Sequence, residues 1–170
     1  DHDTTAGYLA VRNTREAYDV GLLSGVELSC RWAATTVHVV GLDFDADAPE
    51  MTAMVEQLTQ AREERAKEIA TRLASVGIDG ALEGAKAIAN ESQIGRPHFA
   101  TWMAAETGAV DSVSEAFDKY LGTGKIGDVR MFWPPLSDAV QAITRAGGVA
   151  ILAHPLKYRL TGMKLRALIN

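Results

Sequence analysis

His2, Glu27, His38 and His154 share one kind of placement in this chain. Each lies in, or at the end of, an apolar or strand-like run, and the chain holds only 4 His in all. Glu27 stands in Val26-Glu27-Leu28 and His38 in Val37-His38-Val39-Val40. A carboxylate among apolar neighbours is costly to bury unless a positive charge meets it. An imidazole in the next strand is common company for a bound metal ion. Taken alone, that pair also fits a plain hairpin, with Glu27 at an edge and His38 hydrogen-bonded in the core. His154 adds weight, because it ends the apolar run Val149-Ala150-Ile151-Leu152-Ala153 and is followed by Pro155. Working residues of α/β proteins gather at such strand ends. Imidazole and carboxylate ligands suit Zn, Mn or Fe ions. A glutamate between two such ions can bridge them, and water bound there becomes a nucleophile at neutral pH.

Several elements must position these residues. Residues 25–45 hold two β-branched runs around a polar turn at 33–36, which predicts strands over 22–30 and 37–44. Ahead of them, residues 6–20 read as a helix capped by Thr4 or Thr5, with Leu9, Ala10, Ala17 and Val20 on one side. Pro49 and Glu50 open a long helix reaching Val76, which Gly77 stops. Its charged run from Arg62 to Glu68 reads as a solvated face. Shorter helices follow over 81–89, from Arg96 to Glu106, and over 112–121, with Ser112 or Ser114 as cap. A glycine-rich loop occupies 122–127, and Trp133-Pro134-Pro135 makes a rigid corner. Residues 137–145 form a helix with a serine cap. The run at 149–153 is expected to be a strand buried on both faces, as in a parallel sheet. A last helix begins at Arg159. Residues 1–49 and 136–170 thus read as parts of an α/β scaffold, and residues 50–135 as a helical insertion.

Composition narrows the function classes. The chain has 170 residues, 47% of them hydrophobic, enough for a real core. A net charge of −5 offers no basic stripe for a helical nucleic-acid binder or a membrane surface. The single cysteine, Cys30, fits a reducing setting, so a cytoplasmic location is expected. No apolar run approaches the roughly 18 residues of a membrane span.

The order of the motifs resembles a known family. Asp1-His2-Asp3-Thr4, Gly25-Val26-Glu27, Val37-His38-Val39-Val40-Gly41 and Gly147-Gly148-Val149-Ala150-Ile151-Leu152-Ala153-His154-Pro155 look like the PHP (polymerase and histidinol phosphatase) superfamily. The nearest branch holds phosphoesterases that act on nucleotides and short RNA. Ile94-Gly95-Arg96-Pro97-His98-Phe99-Ala100 and Tyr120-Leu121-Gly122-Thr123-Gly124-Lys125 resemble the insertion of that branch. The resemblance implies part of a distorted (β/α)7 barrel with a helical insertion subdomain. It implies two or three divalent ions per full site, Mn first and Fe or Zn otherwise. By position, Glu27 would bridge two ions, His38 and His154 would ligate one of that pair, and His2 would ligate the third. Glu27 and His154 are therefore the catalytic candidates. Arg96, His98 and Lys125 would bind substrate phosphate. The bland alternatives stay open there: Arg96 as a local cap or ion pair, and the glycine loop as a helix end and turn.

The departures are as specific. The family's His-x-His motif, expected before Asp1, and its Asp-x-His motif, expected after Asn170, are not in the sequence. The chain reads as truncated at both ends, with an active parent protein and an inactive fragment. The expected activity is hydrolysis of a 3′,5′-bisphosphonucleotide or of the 5′ end of a short oligonucleotide by metal-activated water. The alternatives are a histidinol-phosphatase-like phosphatase and a non-catalytic PHP interaction module. Apolar surface at the missing strands could pair copies into a homo-oligomer.

Overall fold

The computed structural model of the chain describes residues 2–14, 21–130 and 132–169. These residues combine helices with one sheet and divide into two compact units. Unit 1 comprises Asp1–Thr59 and Trp133–Asn170, and unit 2 comprises Gln60–Phe132.

Unit 1 is built on a three-stranded antiparallel sheet. Strands β1 (Gly25–Trp32) and β2 (Thr35–Leu42) form a hairpin, and β3 (Val149–Leu152) pairs with β2. The hairpin turn is tighter than the sequence suggests. Trp32 pairs with Thr35, leaving Ala33 and Ala34 as the connection, with Ala33 at φ 51°. The two threonines join the ladder because β-branched residues favour it. Val26, Leu28, Cys30, Val37 and Val39 are buried on one face. Helix α6 (Leu136–Arg145) packs beneath that sheet. Gly41 is required there, because a Cβ would stand 2.9 Å from Cγ1 of Ile143.

Two expectations about this unit need correction. The apolar run around β3 is not a parallel strand buried on both faces. It is antiparallel, lies at the sheet edge, and leaves Val149 59% and Ile151 45% exposed. A uniformly apolar run carries no period that tells one face from the other. Nor does Ser137 cap α6. Pro135 is the N-cap residue, and Ser137 Oγ bonds Asp138 Oδ1 instead.

The first helix is α1 (Ala6–Val11), followed by a turn to Thr14. Thr5 is its N-cap residue, and Thr4 Oγ1 accepts the Ala6 N–H at 3.2 Å. The expected continuation, with Ala17 and Val20, lies outside the described residues. Helix α7 (Gly162–Ile169) ends the described chain. Among the described residues, no helix is long and apolar enough to cross a membrane.

Helix α2 (Pro49–Ala74) contributes its first turns to unit 1 and the remainder to unit 2. Unit 2 adds α3 (Ala81–Ala89), α4 (Arg96–Trp102) and α5 (Val113–Ala116). The last two continue as π-helical turns, Met103–Thr107 and Phe117–Leu121. Ser112 Oγ caps α5 by accepting the Glu115 N–H. The core of this unit gathers Ile69, Leu73, Ala85, Phe99, Met103 and Leu121. Trp102 lies against Gly84 so closely that a Cβ there would come 2.1 Å from the indole nitrogen.

Candidate metal centre

The strand period of two decides which side chains meet. Pairing sets Glu27 opposite Val40 and Ser29 opposite His38. Glu27 and His38 are thus diagonal neighbours on one face, while the other face is buried. Diagonal Cβ atoms are roughly 7–8 Å apart, which long side chains can span. Here Nδ1 of His38 lies 3.0 Å from Oε1 of Glu27.

His154 comes from the far side of β2. Val39 pairs with Leu152, so Ala153 stands opposite His38, and its N–H donates to the His38 carbonyl at 2.9 Å. His154 then leaves the strand with φ 30°, a left-handed backbone. Its Nε2 lies 3.1 Å from Oε1 of Glu27 and 3.3 Å from Nδ1 of His38. Its Nδ1 is buried with no hydrogen-bond partner among the described residues.

His2 is held by the segment it belongs to. The Asp3 N–H donates to the Glu27 carbonyl at 2.9 Å, and His2 pairs with Glu27 in a parallel bridge. Asp3 is fully buried with φ 58°. Its carboxylate accepts from both the N–H and the hydroxyl of Ser29, the latter at 2.8 Å. This clasp fastens the segment to β1 and brings Nε2 of His2 within 3.8 Å of Oε2 of Glu27. The sequence reading missed Asp3. Its one signal was an acidic residue beside His2.

Glu27 therefore divides its oxygens. Oε1 faces His38 and His154, and Oε2 faces His2. The electrostatics match. Burial opposes ionisation of Glu27, but the imidazoles of His2 and His38, with the hydrogen bonds from His38 and His154, outweigh it and lower its pKa. Burial pushes the His38 imidazole down, further than Glu27 holds it up, and His2 and His154 act the same way. A lowered value keeps His38 neutral at neutral pH, which metal ligation requires.

The donor spacing fits an ion. Ligand atoms held about 2.0–2.2 Å from a metal stand about 3.0–3.5 Å from one another in octahedral or tetrahedral arrangements. The triangle of Glu27 Oε1, His38 Nδ1 and His154 Nε2 has edges of 3.0, 3.1 and 3.3 Å. Ligand atoms of His2, Glu27 and His38 all fall within 4.8 Å of one another.

The other candidates, Arg96, His98 and Lys125, belong to unit 2. Nη1 of Arg96 donates to the Leu121 carbonyl at 3.0 Å and lies 3.6 Å from Asp128 Oδ1. Nδ1 of His98 accepts the Gly95 N–H at 3.0 Å, which closes the first turn of α4. Lys125 sits in the glycine loop, where its N–H donates to the Gly122 carbonyl. Gly124 adopts φ 78° in that loop and donates its N–H to Asp128.

No family model matches the chain. Individual proteins do. A 5′-3′ exoribonuclease from Haemophilus influenzae is 40% identical over 169 residues, covering 99% of this chain and 61% of that protein. A 3′,5′-nucleoside bisphosphate phosphatase from Chromobacterium violaceum is 37% identical over 170 residues, covering 99% and 59%. A solved structure from Bifidobacterium adolescentis, described as a metal-dependent phosphoesterase, superposes with a TM-score of 0.81 at 28% identity, covering 99% of this chain and 61% of that one. The chain spans about 60% of the length of these relatives.

Proposed function

We propose that this chain, which resembles the PHP superfamily in its motifs and is similar to phosphoesterases and exoribonucleases, carries the metal-binding core of a nucleotide phosphoesterase. The convergence of Glu27, His38 and His154 on a triangle of ion-sized edges carries the reading. Glu27 would bridge two ions, a role suited to its two oxygens, which face different imidazoles. His38 and His154 would hold one ion of the bridged pair and His2 the third ion, with Mn2+ the expected metal. Bound there, a divalent ion would supply an acidified water and charge to meet the phosphoryl oxygens.

The protein's own groups do the rest. Held neutral by burial, His38 presents a lone pair at neutral pH without competing charge. The Glu27 carboxylate, held ionised, balances cationic charge in a half-buried site. Substrate phosphate is assigned to Arg96, His98 and Lys125 of unit 2, on the resemblance. The partial (β/α)7 barrel and a cytoplasmic location belong to the same proposal, and the buried thiol of Cys30 suits that location.

The proposed substrate is a 3′,5′-bisphosphonucleotide or a short oligonucleotide 5′ end, in keeping with the exoribonuclease and the nucleoside bisphosphate phosphatase it is similar to. The test is release of phosphate from adenosine 3′,5′-bisphosphate by the protein carrying this chain, with Mn2+ and then with a chelator. Release that depends on Mn2+ supports the reading. No release from that substrate or from 5′-phosphorylated dinucleotides contradicts it.

A further inference from the structure

Tyr158 interrupts the hydrogen-bond ladder at the point where the two histidines meet. Ala153 stands opposite His38, and its N–H donates to the His38 carbonyl at 2.9 Å. In an antiparallel pair that exchanges both bonds, the His38 N–H would donate to the Ala153 carbonyl in return. Here it donates instead to the Tyr158 hydroxyl at 2.8 Å, and that hydroxyl donates to the Ala153 carbonyl at 2.8 Å. The phenol is a relay inserted between two strands. Two such bonds in series keep the His38 nitrogen and the Ala153 oxygen farther apart than one direct bond of about 2.9 Å would.

The chain is bent to deliver this hydroxyl. The 3₁₀ turn Pro155–Tyr158 is flanked by His154 at φ 30° and Arg159 at φ 51°. Left-handed backbone is costly for residues other than glycine, so two such positions around one turn need compensation. The relay supplies part of it. The Tyr158 ring also lies 5.3 Å from the His154 ring, centroid to centroid. One side chain therefore touches the backbone of His38, the carbonyl before His154, and the imidazole of His154.

We propose that Tyr158 is a positioning residue: its hydroxyl wedges β2 from the end of β3 and so sets the spacing and aim of the His38 and His154 imidazoles. It acts through the ligands and touches neither substrate nor ion. The assignment rests on the metal reading of the site.

The test compares Mn2+ binding by calorimetry, and the visible spectrum of the Co2+ form, in the protein carrying this chain, in its Tyr158→Phe variant and in its Leu156→Ala variant. Leu156 lies in the same turn and is 86% exposed. Groups that orient metal ligands typically change affinity by about 10–100-fold when removed. Tyr158→Phe should weaken Mn2+ binding by about that factor and alter the Co2+ spectrum, with Leu156→Ala unchanged in both. Equal binding and equal spectra in Tyr158→Phe overturn the assignment alone. So does an equal loss in Leu156→Ala, because the effect then belongs to the turn. Absence of Mn2+ binding by the unsubstituted protein carrying this chain overturns the metal reading and this assignment with it. If Tyr158→Phe does not fold, amide exchange in the unsubstituted protein decides: slow exchange of the His38 N–H supports the relay, and fast exchange overturns it.

Discussion

Nε2 of His154 lies 3.1 Å from Oε1 of Glu27, although 127 residues separate them in the chain. The contact is made by the left-handed backbone of His154, which turns the ring toward Glu27 as the strand ends. Backbone and ring are separable by substitution. Asparagine tolerates left-handed backbone better than most residues do. His154→Asn is therefore expected to keep the fold and lose metal affinity by at least about tenfold, as removing a ligand costs no less than removing a group that orients one. Circular dichroism and Mn2+ calorimetry on the same sample check this.

Unit 2 has its own charge centre, with a predictable response to acid. Burial opposes ionisation of Asp128, but Arg130, the Gly124 N–H and Arg96 outweigh it, so its carboxyl titrates below the ordinary 3.8. A carboxyl with a lowered folded value contributes stability that is complete above the unfolded value and lost as pH falls through the folded one. Asp128→Asn should cost about 1–3 kcal/mol at pH 7 through weakened charge-assisted hydrogen bonds. The difference from the unsubstituted chain should stay constant between pH 7 and about 5 and shrink below about 4. Thermal melts across that range check the sign.

The legible and illegible parts of this protein separate on physical grounds. Glu27 and His38 stood out as ligand types within two apolar runs, but that they share one sheet face depends on the pairing register, which only the structure supplies. The helices of unit 2 were legible from their period and from breakers such as Gly77 and Gly108, both of which take positive φ. The face of β3 was not legible, because Val149-Ala150-Ile151-Leu152 is apolar throughout. Asp3 was missed because its partner, Ser29, is 26 residues away and carries no charge that advertises the pair. Tyr158 was hidden for a related reason. Its contact with His38 spans 120 residues and exists only because His154 turns left-handed.

In the proposed site, Glu27 is the carboxylate around which His2, His38 and His154 gather. Mn2+ binding by calorimetry, with metal content after dialysis, tests this for the protein carrying this chain and for its Glu27→Gln variant. Glutamine keeps the shape of Glu27 but removes its charge and turns one ligand oxygen into an NH2 donor. The protein carrying this chain should bind Mn2+, and its Glu27→Gln variant, still folded, should bind it about 100-fold or more weakly, beyond the range for groups that only orient ligands. Equal binding by the two proteins would contradict that role of Glu27.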